Sequence, residues 1–129
     1  MHSYINPPEV SKPTGYTHVV KAAAGRTVYV SGQIAFDKDG KIAGANDFRA
    51  QTVQVFDNVK AALAAAGATF DDVVKVTMFI TDMKNAPILR EVRAQYYGKN
   101  PPASTLVQIS ALVIPELMLE VEAIAVVAD

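Results

Sequence analysis

Half of the 129 residues are hydrophobic and 19% are charged, with 12 basic side chains against 13 acidic ones, a composition and length suited to one domain, residues 1–129, with its own core. The absence of cysteine excludes disulfides, a thiolate nucleophile and sulfur-ligated zinc, and two histidines, His2 and His18, are too few for a multi-histidine metal site. A formal net charge of -1, a pI near 6.1 and no two adjacent basic residues argue against a surface that neutralises phosphates.

In chain order, Pro7, Pro8 and Pro13 punctuate an extended segment, residues 1–15, that leads to Tyr16. Nothing from Met1 to Lys12 forms the apolar core of a signal peptide, so a cytoplasmic location is expected. His18 to Ala23 and Thr27 to Ile34 read as strands separated by a turn at Gly25, and in the second Val28 and Val30 alternate with Thr27, Tyr29 and Ser31. Asp37 to Gly44 is a loop rich in glycine and charge. From about Asp47 to Ala66 the period lengthens: Phe48, Thr52, Val55, Phe56, Val59 and Leu63 form one helical stripe, Asn46 or Asp47 caps its start, and Gly67 suits a left-handed stop. Val73 to Ile80 returns to strand, with Val74, Val76, Met78 and Ile80 opposite Lys75, Thr77 and Phe79. Pro87 fits the first turn of a second helix running to about Tyr97, apolar along Ile88, Leu89, Val92 and Tyr96, with Arg90, Arg93 and Tyr97 on another side. Thr105 to Ile109 and Leu117 to Val127 are the closing strands. The uncharged run from Asn100 to Pro115 between helix and last strand is broken by prolines and cannot span a membrane.

The order β-β-α-β-α-β-β implies an α+β fold with both helices on one face of a sheet. Leu117, Leu119, Val121, Ala123, Ala125 and Val127 form the row suited to the helix-covered side. The opposite row, Met118, Glu120, Glu122, Ile124 and Val126, mixes carboxylates with large apolar groups and is joined by Tyr29, Ser31 and Phe79. Such a face suits neither bulk water nor a dry core, and burial against other subunits, with wet clefts at the interface, is the expected resolution.

Glu120 and Glu122 share that face and could divide acid and base duties, although spacing alone favours a solvated edge. Ser31 lacks a G-x-S-x-G elbow and a base, which favours a hydrogen-bonding serine over a nucleophile. Tyr16 is either a phenol lining a pocket or a ring packed on the core. Arg90 and Arg93 could grip a carboxylate through the guanidinium fork or stand solvated or paired with an acid such as Glu91. His18, alone on its segment, reads as a structural residue. Gly40 and Gly44 match neither a Walker nor a dinucleotide pattern.

Four segments in register carry a family likeness: Ser31-Gly32-Gln33-Ile34; Gln51-Thr52 through Asp57-Asn58-Val59-Lys60 to Ala65-Ala66-Gly67; Val74-Lys75-Val76-Thr77-Met78-Phe79; and Glu120-Val121-Glu122-Ala123-Ile124-Ala125. From about Tyr16 onward the chain resembles the Rid family, also called YjgF. The resemblance implies a chorismate-mutase-like α+β fold, two helices on one face of a mixed sheet, and a homotrimer with three clefts between subunits. It also implies hydrolysis of reactive enamines and imines to 2-oxo acids and ammonia without metal or organic cofactor, on a small-molecule substrate; the charge balance and the lack of an apolar span argue against nucleic acid and membrane as partners. By motif, Glu120 corresponds to the catalytic glutamate, Tyr16 to the tyrosine and Ser31 to the serine that line the cleft; Arg90, Ser104 and Thr105 complete the candidate substrate-binding residues.

One motif departs from that pattern. Where the deaminase branch has arginine after Pro-Ala, Pro102-Ala103 is followed here by Ser104, which offers neither charge nor a bidentate fork. Arg90, where relatives often carry asparagine, and Arg93 one turn on either supply the missing charge or are surface residues. Three readings follow: a divergent imine or enamine hydrolase with Glu120 orienting water, a trimer that holds a metabolite or docks on a partner without turnover, and an endoribonuclease, disfavoured by the charge balance.

Overall fold

The computed structural model describes all 129 residues. Its strands are β1 (Ser3–Ile5), β2 (Val19–Lys21), β3 (Gly25–Gln33), β4 (Val73–Ile80), β5 (Ala103–Gln108) and β6 (Leu119–Ala128), and its helices are α1 (Phe48–Ala65) and α2 (Ala86–Arg93). The main sheet runs β3-β6-β4-β5; β4 and β5 are parallel and the other neighbours antiparallel, so the sheet is mixed as expected.

The helices form where local chemistry directs them. Asp47 is the cap of α1, its carboxylate accepting from the Ala50 amide at 3.1 Å, while Asn46 takes the left-handed turn before it at φ 62. Gly67, at φ 76, ends the helix as its amide and that of Ala68 return to the carbonyls of Ala64 and Leu63. The α1 stripe buries Val55, Phe56, Val59 and Leu63 against Val76, Met78, Leu119, Val121 and Ala123 of the sheet. Leu89 of α2 joins the same core. Burying side chains of this size contributes about 1.5–3 kcal/mol each.

Two polar residues of α1 clasp the loops that lead into the sheet. Gln51, fully buried, donates to the Glu116 carbonyl at 2.9 Å and accepts from the Met118 amide at 3.0 Å. Asn58 donates to the Ile34 and Phe36 carbonyls at 3.0 and 2.9 Å. These residues of the second family motif therefore fix the approach to β6 and the exit from β3.

Three expectations need correction. The first strand of the chain is Ser3–Ile5, not His18 to Ala23, and it pairs with β2 in a separate two-stranded sheet. The His2 ring holds it: Nδ1 accepts from the Ala23 amide at 3.0 Å, which leaves Nε2 to donate to the Val126 carbonyl at 2.9 Å. In β4 a register shift puts Val73, not Val74, in the core, whereas Val126 keeps the half-polar face opposite Thr27 and is buried there. Finally, α2 stops at Arg93, and the chain turns so that the Tyr97 ring meets Phe56 edge-on, with centroids 6.3 Å apart. No helix is long and apolar enough to cross a membrane.

Candidate functional site

A bulge in β3 sets Gly32 against Glu120. In the β3–β6 ladder Val30 pairs with Ala123 and Gln33 with Val121, so Ser31 and Gly32 together oppose Glu122. The unpaired residue brings bare backbone beside Glu120. A Cβ on Gly32 would stand 2.6 Å from Glu120 Oε2 and 2.7 Å from its Cδ, so the carboxylate rests where any side chain would collide with it. Gly32 and Gln33 also border a depression of about 530 Å³ shared with Gln54 and Asn58.

The surrounding face carries a group of apolar residues. Phe79 pairs with Glu120, Val107 pairs with Phe79, and Tyr29 pairs with Ile124. Tyr29 is 78% exposed and Val107 40%. Glu120 is half-buried among them, and Glu122, Thr77, Thr105, Lys75 and Ser31 make the rest of the face polar. The Lys75 ammonium donates to Thr105 Oγ1 at 2.6 Å and fixes that hydroxyl on the open face.

Ser104 and Thr105 point to opposite sides of the sheet. Thr105 pairs with Thr77 on the open face, whereas Ser104 pairs with Val76, whose side chain is buried under the helices. Tyr16 lies at the start of β5, because the Thr17 hydroxyl donates to the Pro101 carbonyl at 2.6 Å and the Thr17 amide to the Pro102 carbonyl at 3.1 Å. Its ring meets His18 in a T-shaped contact with centroids 5.2 Å apart. His18 in turn hydrogen-bonds the Ser11 carbonyl at 2.6 Å, a structural role.

The two helix arginines line a cavity of about 330 Å³ with Thr14, Gly15, Tyr97 and Pro101. Arg90 is exposed at its mouth, but Arg93 is only 6% exposed. Only Arg49, of all the arginines, donates a side-chain hydrogen bond or forms an ion pair; its partner is Glu91, at 2.6 Å. Arg93 therefore has no carboxylate partner. Burial lowers its pKa, with Tyr97 opposing that shift and Arg90 adding to it. The Tyr97 hydroxyl is buried without a partner, and burial pushes its pKa up to about 12 while Arg93 pulls the other way. Gly15, at φ 74, presents no side chain to the Arg93 guanidinium, whose Nη2 lies 2.8 Å from where a Cβ would be.

Within one chain, then, Glu120, Ser31 and Thr105 share the open sheet face, while Tyr16 and Ser104 lie toward the start of β5 and Arg90 lines the cavity. Reasoning from sequence undervalued Gly32, Gly15 and Tyr97. The glycines are defined by what lies over them, which no local spacing encodes, whereas the Arg90, Arg93, Tyr97 spacing of three and four was a visible signal of one helix flank.

Comparison with known proteins follows the same outline. Residues 8–127 match the sequence pattern of the family described as Endoribonuclease L-PSP. A RutC family protein of Pyrococcus horikoshii is 41% identical over 116 residues, covering 88% of this chain and 89% of its own. The crystal structure of YyfB from Yersinia pestis, a Rid family protein of unknown function, superimposes with a TM-score of 0.91 at 35% identity, with 98% of each chain covered. RidA from an Antarctic Psychrobacter superimposes with a TM-score of 0.74 at 36% identity, covering 91% of this chain and 92% of its own.

Proposed function

This chain belongs to the Endoribonuclease L-PSP family, the group of the Rid, YjgF and RutC proteins, and from that premise we propose that it is a small-molecule hydrolase acting on reactive imines or enamines. The observation that carries the reading is Glu120: a half-buried carboxylate seated on the bare backbone of Gly32, on a face that also carries exposed apolar groups. The site works between copies of the chain. Three copies join through the open sheet face, and each cleft combines Glu120, Ser31 and Thr105 of one copy with Tyr16 of its neighbour and, from that neighbour's edge strand β5, Ser104.

The chemistry needs little equipment. A protonated imine carbon is already electrophilic, so the protein has chiefly to place water and take a proton. Glu120 accepts a proton from water as the new C–O bond forms and the C=N π electrons move to nitrogen. The resulting carbinolamine collapses as the C–N bond breaks, its hydroxyl proton is lost, and ammonia leaves after nitrogen is protonated. The products are a carbonyl compound and ammonia. Tyr16 and Ser31 supply hydroxyls for orientation, and Ser104, uncharged, removes the strict demand for a carboxylate beside the imine.

The test generates imines in situ with an amino-acid oxidase and follows ammonia release with and without the protein. Acceleration that falls about 100-fold in Glu120→Gln is expected, the lower range for loss of a general base. An undiminished rate in that variant refutes the assignment, and thermal stabilisation by ligands with no turnover of any imine favours a non-catalytic metabolite-binding trimer. Ribonuclease activity, the property in the family's description, is disfavoured by the net charge of -1. RNA cleavage that survives repeated purification of Glu120→Gln would reverse that preference.

A further inference from the structure

We infer that the cavity between α2 and the Thr14–Gly15 turn is a binding site for the carboxylate of a small organic acid, gripped by Arg93 with Arg90 at the mouth. The inference does not require Glu120 to be catalytic, since it concerns binding within one chain.

The cavity has the attributes of a built site. Its volume, about 330 Å³, lies in the range of small-molecule pockets. Two of its lining residues are arginines and none is acidic. Asp71 lies near Gly98 but belongs to the lining of a different cavity. Glu91 is held by Arg49. Arg93 is 94% removed from solvent by its 6% exposure and still has no carboxylate partner. A guanidinium with so little of its side chain left in water and no anion beside it is poorly compensated, and an arriving carboxylate supplies two parallel charge-assisted hydrogen bonds. The Tyr97 ring, with Ala94 and Pro101, supplies apolar surface for the rest of the ligand.

A structural explanation accounts for only part of this. Both arginines lie toward the C-terminal end of α2, where cations complement the helix dipole. That effect is available to a solvated side chain and gives no reason to bury Arg93. The same dipole selects among anions. The negative end of a helix, unlike the amide-lined start where phosphates bind, favours a singly charged carboxylate over a phosphate dianion.

Titration calorimetry of the full chain with butanoate and cyclohexanecarboxylate, each against its own amide, and with inorganic phosphate at equal ionic strength, tests the proposal. The acids are expected to bind once per chain, with the amides and Arg93→Met weaker by about tenfold or more, Arg93→Lys intermediate, and Arg49→Gln unchanged. Equal affinity for acid and amide, phosphate binding tighter than either acid, unchanged affinity in Arg93→Met, or no heat with any acid overturns it. Should the Arg93 variants not fold, the comparison of acid with amide on the unsubstituted chain decides alone.

Discussion

Gly32 and Gly15 both lie beneath another residue's side chain, yet they predict different outcomes. Gly15 has a left-handed φ of 74, so any replacement strains the backbone as well as displacing Arg93. Gly32 does not have a positive φ, and its obstacle is only the mobile end of Glu120, at 2.6 Å. Gly32→Ala should therefore fold with a stability change within about 1 kcal/mol, since the half-buried Glu120 side chain can turn to another rotamer. Imine hydrolysis should nonetheless fall by about tenfold to a hundredfold, because a displacement of about 1 Å is enough to spoil a positioned base. Thermal melts beside ammonia assays check this, and full activity in a well-folded Gly32→Ala would remove the seat from the mechanism. Ser31, Glu120 and Tyr16 could be singled out from motifs along the chain. Their neighbours could not, because the contact of Gly32 with Glu120 joins residues 88 positions apart, a separation given by the numbering itself.

The second helix and its exit carry a prediction for alkaline solution. Tyr96 stacks on Phe56 of α1 with ring centroids 5.2 Å apart and donates to Asp57 Oδ1 at 2.8 Å. Burial, reinforced by Asp57, pushes the Tyr96 pKa up to about 12, and burial alone does the same for Tyr97. Both folded values exceed the ordinary 10.0, so the unfolded chain loses these protons first. The stability tied to the protonated phenols is fully present below pH about 10 and is lost as pH rises through about 12. Melting temperatures should fall across that window, with ultraviolet titration showing two late phenols; Tyr96→Phe should flatten the fall. If both phenols ionise with the exposed tyrosines, the packing described for this exit is wrong. The long helix was legible almost to the residue, expected from about Asp47 to Ala66 and found at Phe48–Ala65, because stripe, cap and glycine stop are all local. The strand Ser3–Ile5 was not, since its three residues show no usable alternation and depend on a distant partner and the His2 ring. Likewise, the sequence places no stop before Gly98, so the end of α2 at Arg93 reflects aromatic packing against α1.

For the whole molecule, the open sheet face is the feature that a lone chain leaves unresolved. Tyr29 and Val107 stand exposed on it beside the half-buried Ile124 and Phe79, an apolar group suited to burial against another copy. Light scattering at micromolar concentration should give a mass of about three chains, and Ile124→Glu should reduce it by burying a charge in the shared surface. A mass of one chain for the unsubstituted protein refutes the trimer and, with it, a cleft completed by a neighbour. Alternation in the last strand made the half-polar face readable, but which surface covers it is a property of the assembly and has no period in the chain. The bulge at Ser31 and Gly32 has one more consequence. Val30 and Gln33 are three positions apart while their partners Ala123 and Val121 are two apart. Losing Gly32 would equalise the two strands and leave every remaining side chain on its present face. Architecture and chemistry are therefore separately heritable here: a lineage can drop one codon, retain the sheet, and lose only the place where Glu120 sits.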